Sequence, residues 1–468
     1  MNDELPPWQS KPRFSRKLGC FLFGVGVPLL VLLLLVAIYM IWSARSNARA
    51  RQALAAIRAA GEPVDGSELN AFYALPEGAD DVTRLWLIPM RAFDGPQYRQ
   101  ACEPLPIVGW SEDEQPIPPP GEPWQDLEAV EAFLAKYADE MAAAHQAAER
   151  GGAARYPTDY SQGWDTLLEH VQQARTLARM FALEARVRAH RGDWPGAARS
   201  IRDMHRLAGS LEREPCLVSQ LVRYAIDGIG RETLQDLMDT GDFPAEQLAS
   251  LQDVLQSIDY GEGLERAMQG ERAMGASLFD DPAALGFDDT PRLTLLRLIP
   301  RGDDLALYLE FMSRHVAAAR LKAPDRLREY QVIEDDVRRT LRNRGPIVGL
   351  RYMVSAVALP AVSATATAEA RNTAANRAAA AVIAAERFRL EHGRLPKDLE
   401  ELVPEFLPEV PTDPFTDEPM KVRIEDEKMT VYSVGENQVD EQGKGDRWTG
   451  GPGDSDDVAF PQPPAPDE

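Results

Sequence analysis

Six histidines (His145, His170, His190, His205, His315 and His392) and two adjacent acidic pairs, Asp280–Asp281 and Asp303–Asp304, are the side chains best suited to proton transfer or metal binding. Their spacing assembles neither chemistry. A helical zinc site needs two histidines one turn apart, and no His-Glu-x-x-His occurs. Each histidine is therefore read as a helix-surface residue or a partner in a local hydrogen bond. Adjacent carboxylates beside proline or glycine suit helix caps and turns, whereas glycosidic chemistry needs carboxylates converging across a cleft. A phosphate-cradling Gly-x-x-x-x-Gly-Lys-Ser/Thr, a Gly-x-Gly-x-x-Gly after a strand and a Gly-x-Ser-x-Gly elbow are all absent. Cys20, Cys102 and Cys216 are too few and too far apart for a disulfide scaffold or a metal knuckle. The sequence thus offers no catalytic residue and no organic-cofactor pocket.

The elements around these residues begin with an anchor. No charge falls between Lys17 and Arg45, and the run from Cys20 to Trp42 is apolar, with Tyr39 and Trp42 at one end. A helix needs roughly 20 such residues to cross a hydrocarbon core, and aromatic rings favour its boundary. A cleaved signal peptide would have a shorter apolar region. The run is read as an uncleaved transmembrane signal anchor. Its basic tail (Lys11, Arg13, Arg16, Lys17) resembles that of anchors whose following domain is translocated, although Arg45, Arg49, Arg51 and Arg58 follow it. The expectation is a single-pass protein of the cytoplasmic membrane with its large C-terminal part in the periplasm.

Charge is distributed unevenly about this anchor. The chain carries 51 Lys+Arg and 74 Asp+Glu, a net −23. Residues 1–50 hold six basic and two acidic residues, +4, which leaves −27 on the other 418. Nucleic-acid affinity rests on clustered Lys and Arg, so no nucleic-acid partner is expected. So acidic a body should be repelled by anionic lipid.

From Arg45 to Gly345 the pattern is helical, interrupted by a proline-rich acidic break at 111–123. Leu177, Met180, Leu183 and Val187 form a helical stripe, and Ile201, Met204, Leu207 and Leu211 a second. Between them, Gly192-Asp193-Trp194-Pro195 stops one helix and caps the next. Gly241-Asp242-Phe243-Pro244 repeats that turn 49 positions later. Residues 182–211 look like a tetratricopeptide-type hairpin, but the fixed period is missing, which favours an ordinary bundle. The alternating charges of Arg326–Arg342 read as a solvated surface helix. Residues 352–368 are charge-free but contain Pro360 and fall short of a second span, so they are read as the start of an Ala-rich helix running to Leu390.

An ordered series follows: Gly393-Arg394-Leu395-Pro396, the Leu-rich stretch to Pro404, Asp413-Pro414-Phe415, and Val431-Tyr432-Ser433-Val434-Gly435. Met420–Ile424 and Met429–Val434 are strand candidates joined by a polar turn. This series resembles the globular head of type II secretion major pseudopilins over about 100 residues, roughly 359–460. The resemblance implies a long helix, a short Leu-rich helix and a small antiparallel sheet. It also implies calcium in the loop after the hairpin, where Asn437, Asp440, Asp446, Asp456 and Asp457 are the matching oxygen donors. The sequence departs from that family in its anchor. Gly19-Cys20-Phe21 lacks the glutamate of the processing site, and some 300 residues separate anchor from head. As a whole the chain looks like bacterial single-pass proteins combining an anchor, a helical body and such a head.

The expected fold is mainly α. It comprises a basic tail (1–17), a transmembrane helix (18–44), a helical-bundle or repeat-like domain (45–345), a small α+β pseudopilin-like module (346–448) and a disordered acidic tail (449–468). Three functions fit, in this order. The first is a noncatalytic cell-envelope protein acting through protein–protein contacts. The second is an accessory component of a type II secretion-like system, and the third an enzyme with an unrecognised site in the helical domain.

Overall fold

The apolar run enters one continuous helix, α1 (Val27–Ala59), with Pro28 in its first turn, where a missing N–H costs least. Its first half is exposed apolar surface, Val27 through Ile41, and its second half buries Ser46, Ala50 and Ile57 along one face. Among the described residues it is the one helix long and apolar enough to cross a membrane. The computed structural model describes residues 26–109, 117–241, 243–279, 300–342, 351–359, 362, 364–444 and 456–462. The basic tail, the processing-site residues around Gly19 and the pair Asp280–Asp281 lie outside them.

The body is mainly helical: α2 (Gly66–Phe72), α3 (Thr83–Ala92), α4 (Pro96–Cys102), α5 (Leu127–Lys136), α6 (Ala138–Arg150), α7 (Glu169–His190), α8 (Trp194–Gly209), α9 (Leu217–Met238), α10 (Ala245–Ser257), α11 (Gly261–Gly275), α12 (Gly302–Ala319) and α13 (Ala323–Arg342). The α7–α8 turn forms as its chemistry dictates. Gly192 takes φ +76°, and the Asp193 carboxylate accepts from the Gly196 N–H to cap α8. Its counterpart before α10 packs directly against it: Trp194 and Phe243 meet edge to face at 5.2 Å. A side chain on Gly241 would strike the Trp194 ring. The two similar turns are thus joined by their aromatic residues.

Residues 117–123 of the proline-rich break are non-helical and held down, with His190 Nε2 2.8 Å from the Pro118 carbonyl. The remainder of the break lies outside the described residues. The surface-helix reading of 326–342 needs correction, because α13 buries Tyr330, Ile333, Val337 and the guanidinium of Arg326. Its charges drew attention away from an apolar stripe at helical spacing.

The Ala-rich segment forms two helices, α14 (Met353–Ala358) and α15 (Ala364–His392), and α15 ends where Gly393 adopts φ +69°. Alanines 378–381 and 384–385 are buried against Leu248, Leu251, Leu255, Leu234 and Leu237 of the body. Small side chains there let helix backbones approach closely. The same core continues into Leu402, Phe406, Met420, Met429 and Val431, so the C-terminal region shares its interior with α7–α10.

Three antiparallel strands complete the fold, β1 (Lys421–Glu425), β2 (Lys428–Ser433) and β3 (Val458–Phe460), in the order β1-β2-β3. Asp426 and Glu427 both take positive φ, +50° and +59°, as a two-residue hairpin turn requires. Buried Asp413 fastens the Asp-Pro-aromatic turn to β2, accepting from the Phe415 N–H, the Ser433 hydroxyl and the Val434 N–H. Strand β3 corrects the expectation of a disordered 449–468. Val458–Phe460 is buried and paired with β2, and Gln462 exchanges two hydrogen bonds with Gln235. Three residues between acidic and proline-rich flanks carry no readable period.

Candidate functional site

The acidic loop begins where β2 ends. Gly435, at φ +64°, lets the backbone of Asp456 pass so closely that a Cβ would lie 2.0 Å from its carbonyl oxygen. That crossing brings Asp457 beside the loop. Asp457 is 3% exposed; its Oδ2 accepts from the Gly443 N–H at 2.6 Å, and its Oδ1 is buried without a hydrogen-bond partner among the described atoms. Burial, and after it the neighbouring Glu441 and Asp440, push the Asp457 carboxyl up to about 7.

The other predicted donors are already committed. Asp440 Oδ1 accepts from the Tyr432 hydroxyl and the Gln442 N–H, both at 3.0 Å, and Oδ2 lies 3.3 Å from Lys421 Nζ. Asn437 Oδ1 takes the Val439 N–H at 2.7 Å, and its amide donates to Glu441. Asp456 faces Arg371 at 3.7 Å instead of the loop centre. Asp446 lies outside the described residues. The fold gathers Asp440, Glu441 and Asp457 and leaves Asp456 apart. Among the described residues no group of three or more His, Cys, Asp or Glu could hold a metal ion. Calcium takes six to eight oxygens, and these four residues as placed do not form that shell.

The histidines depart most from the sequence reading. His190, His315 and His392 contact backbone carbonyls, the last two locally. Burial drives the His315 imidazole down to about 4. The other three are buried against carboxylates from distant elements, which corrects the surface assignment. His145 on α6 bonds Asp203 at 2.7 Å through Nδ1 and Glu184 at 2.9 Å through Nε2, joining α6, α8 and α7. Burial opposes its protonation, but the two carboxylates prevail and raise its pKa above the ordinary value. His170 stacks on Tyr156 and meets Glu214 at 2.9 Å, which also accepts from Tyr73 and Ser219. His205 bonds Asp227 at 2.7 Å, and Asp227 accepts from Tyr260, which receives an N–H from Asn376 of α15.

These constellations contain serine, histidine and carboxylate but lack the order that nucleophilic catalysis needs. A serine nucleophile must donate to the histidine. Ser200 instead donates to Glu184 at 2.7 Å, and Ser219 to Glu214. In the His145 group the imidazole has both nitrogens occupied by acids. Such pairs lock helices together; only His145 has both nitrogens engaged, and His205 Nε2 is buried without a hydrogen-bond partner among the described atoms. Their partners stand 22 to 58 residues away in sequence, so no local motif could have announced them.

A cavity of about 780 Å³ lies at the seam between the α10–α11 turn, the α12–α13 turn, α15 and residues 407–417. Its size suits a small ligand. Several of its charges are engaged across the seam: Arg326 with Glu369, Arg320 with Glu265 at 2.8 Å, and Arg377 with the Thr412 carbonyl at 2.6 Å. The seam reads as a joint held by paired charges. No family model, no curated protein and no solved structure matches the chain.

Proposed function

We propose that this chain is a noncatalytic, membrane-anchored cell-envelope protein that displays a pseudopilin-like module and acts through contacts with other proteins. The observation that carries this reading is continuity. Helix α1 runs without a break from exposed apolar surface at Val27–Ile41 into the body core at Ser46, Ala50 and Ile57, and α15 joins that body to the sheet. Among the described residues, packed helices connect the anchor to the sheet. The carboxylate-bound imidazoles, the serines that donate to acids instead of to histidines, and the ion pairs along the seam support a scaffold over a catalyst. Orientation follows the basic tail: N-terminus in the cytoplasm, body and head in the periplasm.

A second reading, an accessory component of a type II secretion-like system, is favoured by one observation. The ordered series Gly393–Pro396, Asp413–Phe415 and Val431–Gly435 belongs to a single α15-plus-sheet unit whose Asp413 fastens the middle turn to β2. A photo-crosslinking residue at Val439, 54% exposed in the head, tests both readings in intact cells. An adduct with one envelope protein is expected, and an adduct with a pseudopilin selects the second reading. No adduct at Val439 or at a second head position, Ile424, overturns the interaction. Proteolysis of spheroplasts from outside should remove the head, and a fully protected head reverses the orientation.

A further inference from the structure

The end of the membrane helix is not followed by a linker. Counting roughly 20 residues back from Ile41 spans a hydrocarbon core, which puts Trp42 at its edge. Ser46, one turn and about 6 Å further along the axis, is already buried in the body. The headgroup layer is itself only about 5–7 Å thick on each side. The body therefore starts within that layer.

Specific contacts fix which part of the body lies there. Gly302, the first residue of α12, touches the α1 backbone so closely that a Cβ would come within 2.5 Å of Ser46. The Asp303 N–H donates to the Ser46 hydroxyl at 2.7 Å, and its buried carboxylate joins Arg49 at 2.6 Å and Arg351. Arg351 lies 5.4 Å over the ring of Trp42 and the same distance from that of Tyr352. Asp304 then holds the start of α14, accepting from the Val354 and Ser355 N–H groups. Helix α14 carries no charge, and its outward residues are Ala356 and Val357, the latter 49% exposed.

We propose that the face around the exit of α1, formed by Arg45, Arg49, Arg351, Tyr352 and α14, is a phospholipid-contacting surface that seats the body on the headgroup layer. The chemistry matches that layer from the outside inward. The exposed guanidinium groups of Arg45 and Arg49 pair with phosphate diesters, Trp42 and Tyr352 occupy the boundary, and the uncharged face of α14 meets the glycerol and upper acyl region. The two acids at the junction are buried and engaged, so the surface turned to lipid is locally basic although the body as a whole is acidic. The inference rests on α1 being a membrane helix.

The test uses the full chain with Cys20→Ala, reconstituted in phosphatidylcholine nanodiscs. Cys102 and Cys216 are buried and remain unlabelled. Bimane is attached at Val357→Cys, at Ala356→Cys as a second probe of the same face, at Ile424→Cys on β1, and at Leu34→Cys in α1. With a nitroxide on the lipid headgroup, quenching at Val357→Cys and Ala356→Cys should exceed that at Ile424→Cys at least threefold. Equal quenching at all three overturns the lipid contact. With a nitroxide on the acyl chain, Leu34→Cys should be quenched. If it is quenched while the α14 probes are not, the anchor stands and this inference falls. If Leu34→Cys is unquenched, the anchor itself is refuted.

Discussion

Two acidic clusters at different places in the molecule are satisfied to different degrees. At the α1–α12–α14 junction, Asp303 and Asp304 are buried and fully engaged, one by two arginines and the other by the start of a helix. In the loop after β2, Asp457 is equally buried but lies beside Glu441 and Asp440, with one oxygen unpartnered among the described atoms. The first cluster spends its carboxylates on holding elements together. The second keeps one carboxyl near its protonation midpoint at neutral pH. Burial raises a carboxyl in both, Asp304 to about 6 and Asp457 to about 7; what differs is that hydrogen-bond donors face the first and further carboxylates the second.

Breaking the first cluster should have the largest effect. Asp303→Ala removes the carboxylate shared by Arg49 and Arg351 while leaving the backbone contact of α12 with Ser46 in place. It should lower stability by about 3 kcal/mol, the lower end for breaking a buried ion pair because Arg49 is largely exposed. Chemical unfolding of the full chain in detergent measures this, and a loss under about 1 kcal/mol would show that the clamp is not a stability element. Asp304→Ala should cost somewhat less, about 2 kcal/mol, through a lost cap and stranded N–H groups. Its distinctive sign is faster hydrogen exchange at Val354 and Ser355.

The second cluster predicts a smaller, pH-dependent effect. The folded pKa of Asp457 is raised from 3.8 to about 7, so the folded state favours the protonated acid. Its contribution is fully present below pH 3.8 and is lost as pH rises through about 7. Asp457→Asn should therefore gain on the parent as pH rises across that window and hold the gain above it. A difference independent of pH would remove the titration from Asp457. The smallest effect is expected from calcium. Chelation or millimolar calcium should leave the melting temperature unchanged within about 1 °C. A rise of several degrees would mean that the loop closes on the ion, with Asp446 among the donors.

The contrast also marks what the sequence could disclose. Helix α1, the α7–α8 turn and the β1–β2 hairpin follow from local pattern: an uncharged run, a Gly-Asp-Trp-Pro turn, and alternating residues about a polar turn. Asp303 and Asp304 read locally as acids of a helix cap or turn, and they occupy the first turn of α12. Their decisive partners are Arg49, 254 residues earlier, and Ser355, 51 residues later. The same holds for His145, whose acids come from two other helices. Pairings of that kind depend on how helices pack and leave no trace in spacing. The candidate calcium donors were legible as a composition, but Asp456 and Asp457 sit on opposite sides of a short strand approach, and only the fold separates them.

The unbroken α1 has a mechanical consequence. With α1 in the bilayer, as proposed, a helix entering the domain without a joint acts as a torsion rod, so the azimuth of the C-terminal region about the helix axis is fixed by residue count. One alanine inserted between Trp42 and Ser46 would turn everything beyond it by about 100° and lift it by about 1.5 Å. Neighbours in the same membrane would then meet a different side of the protein.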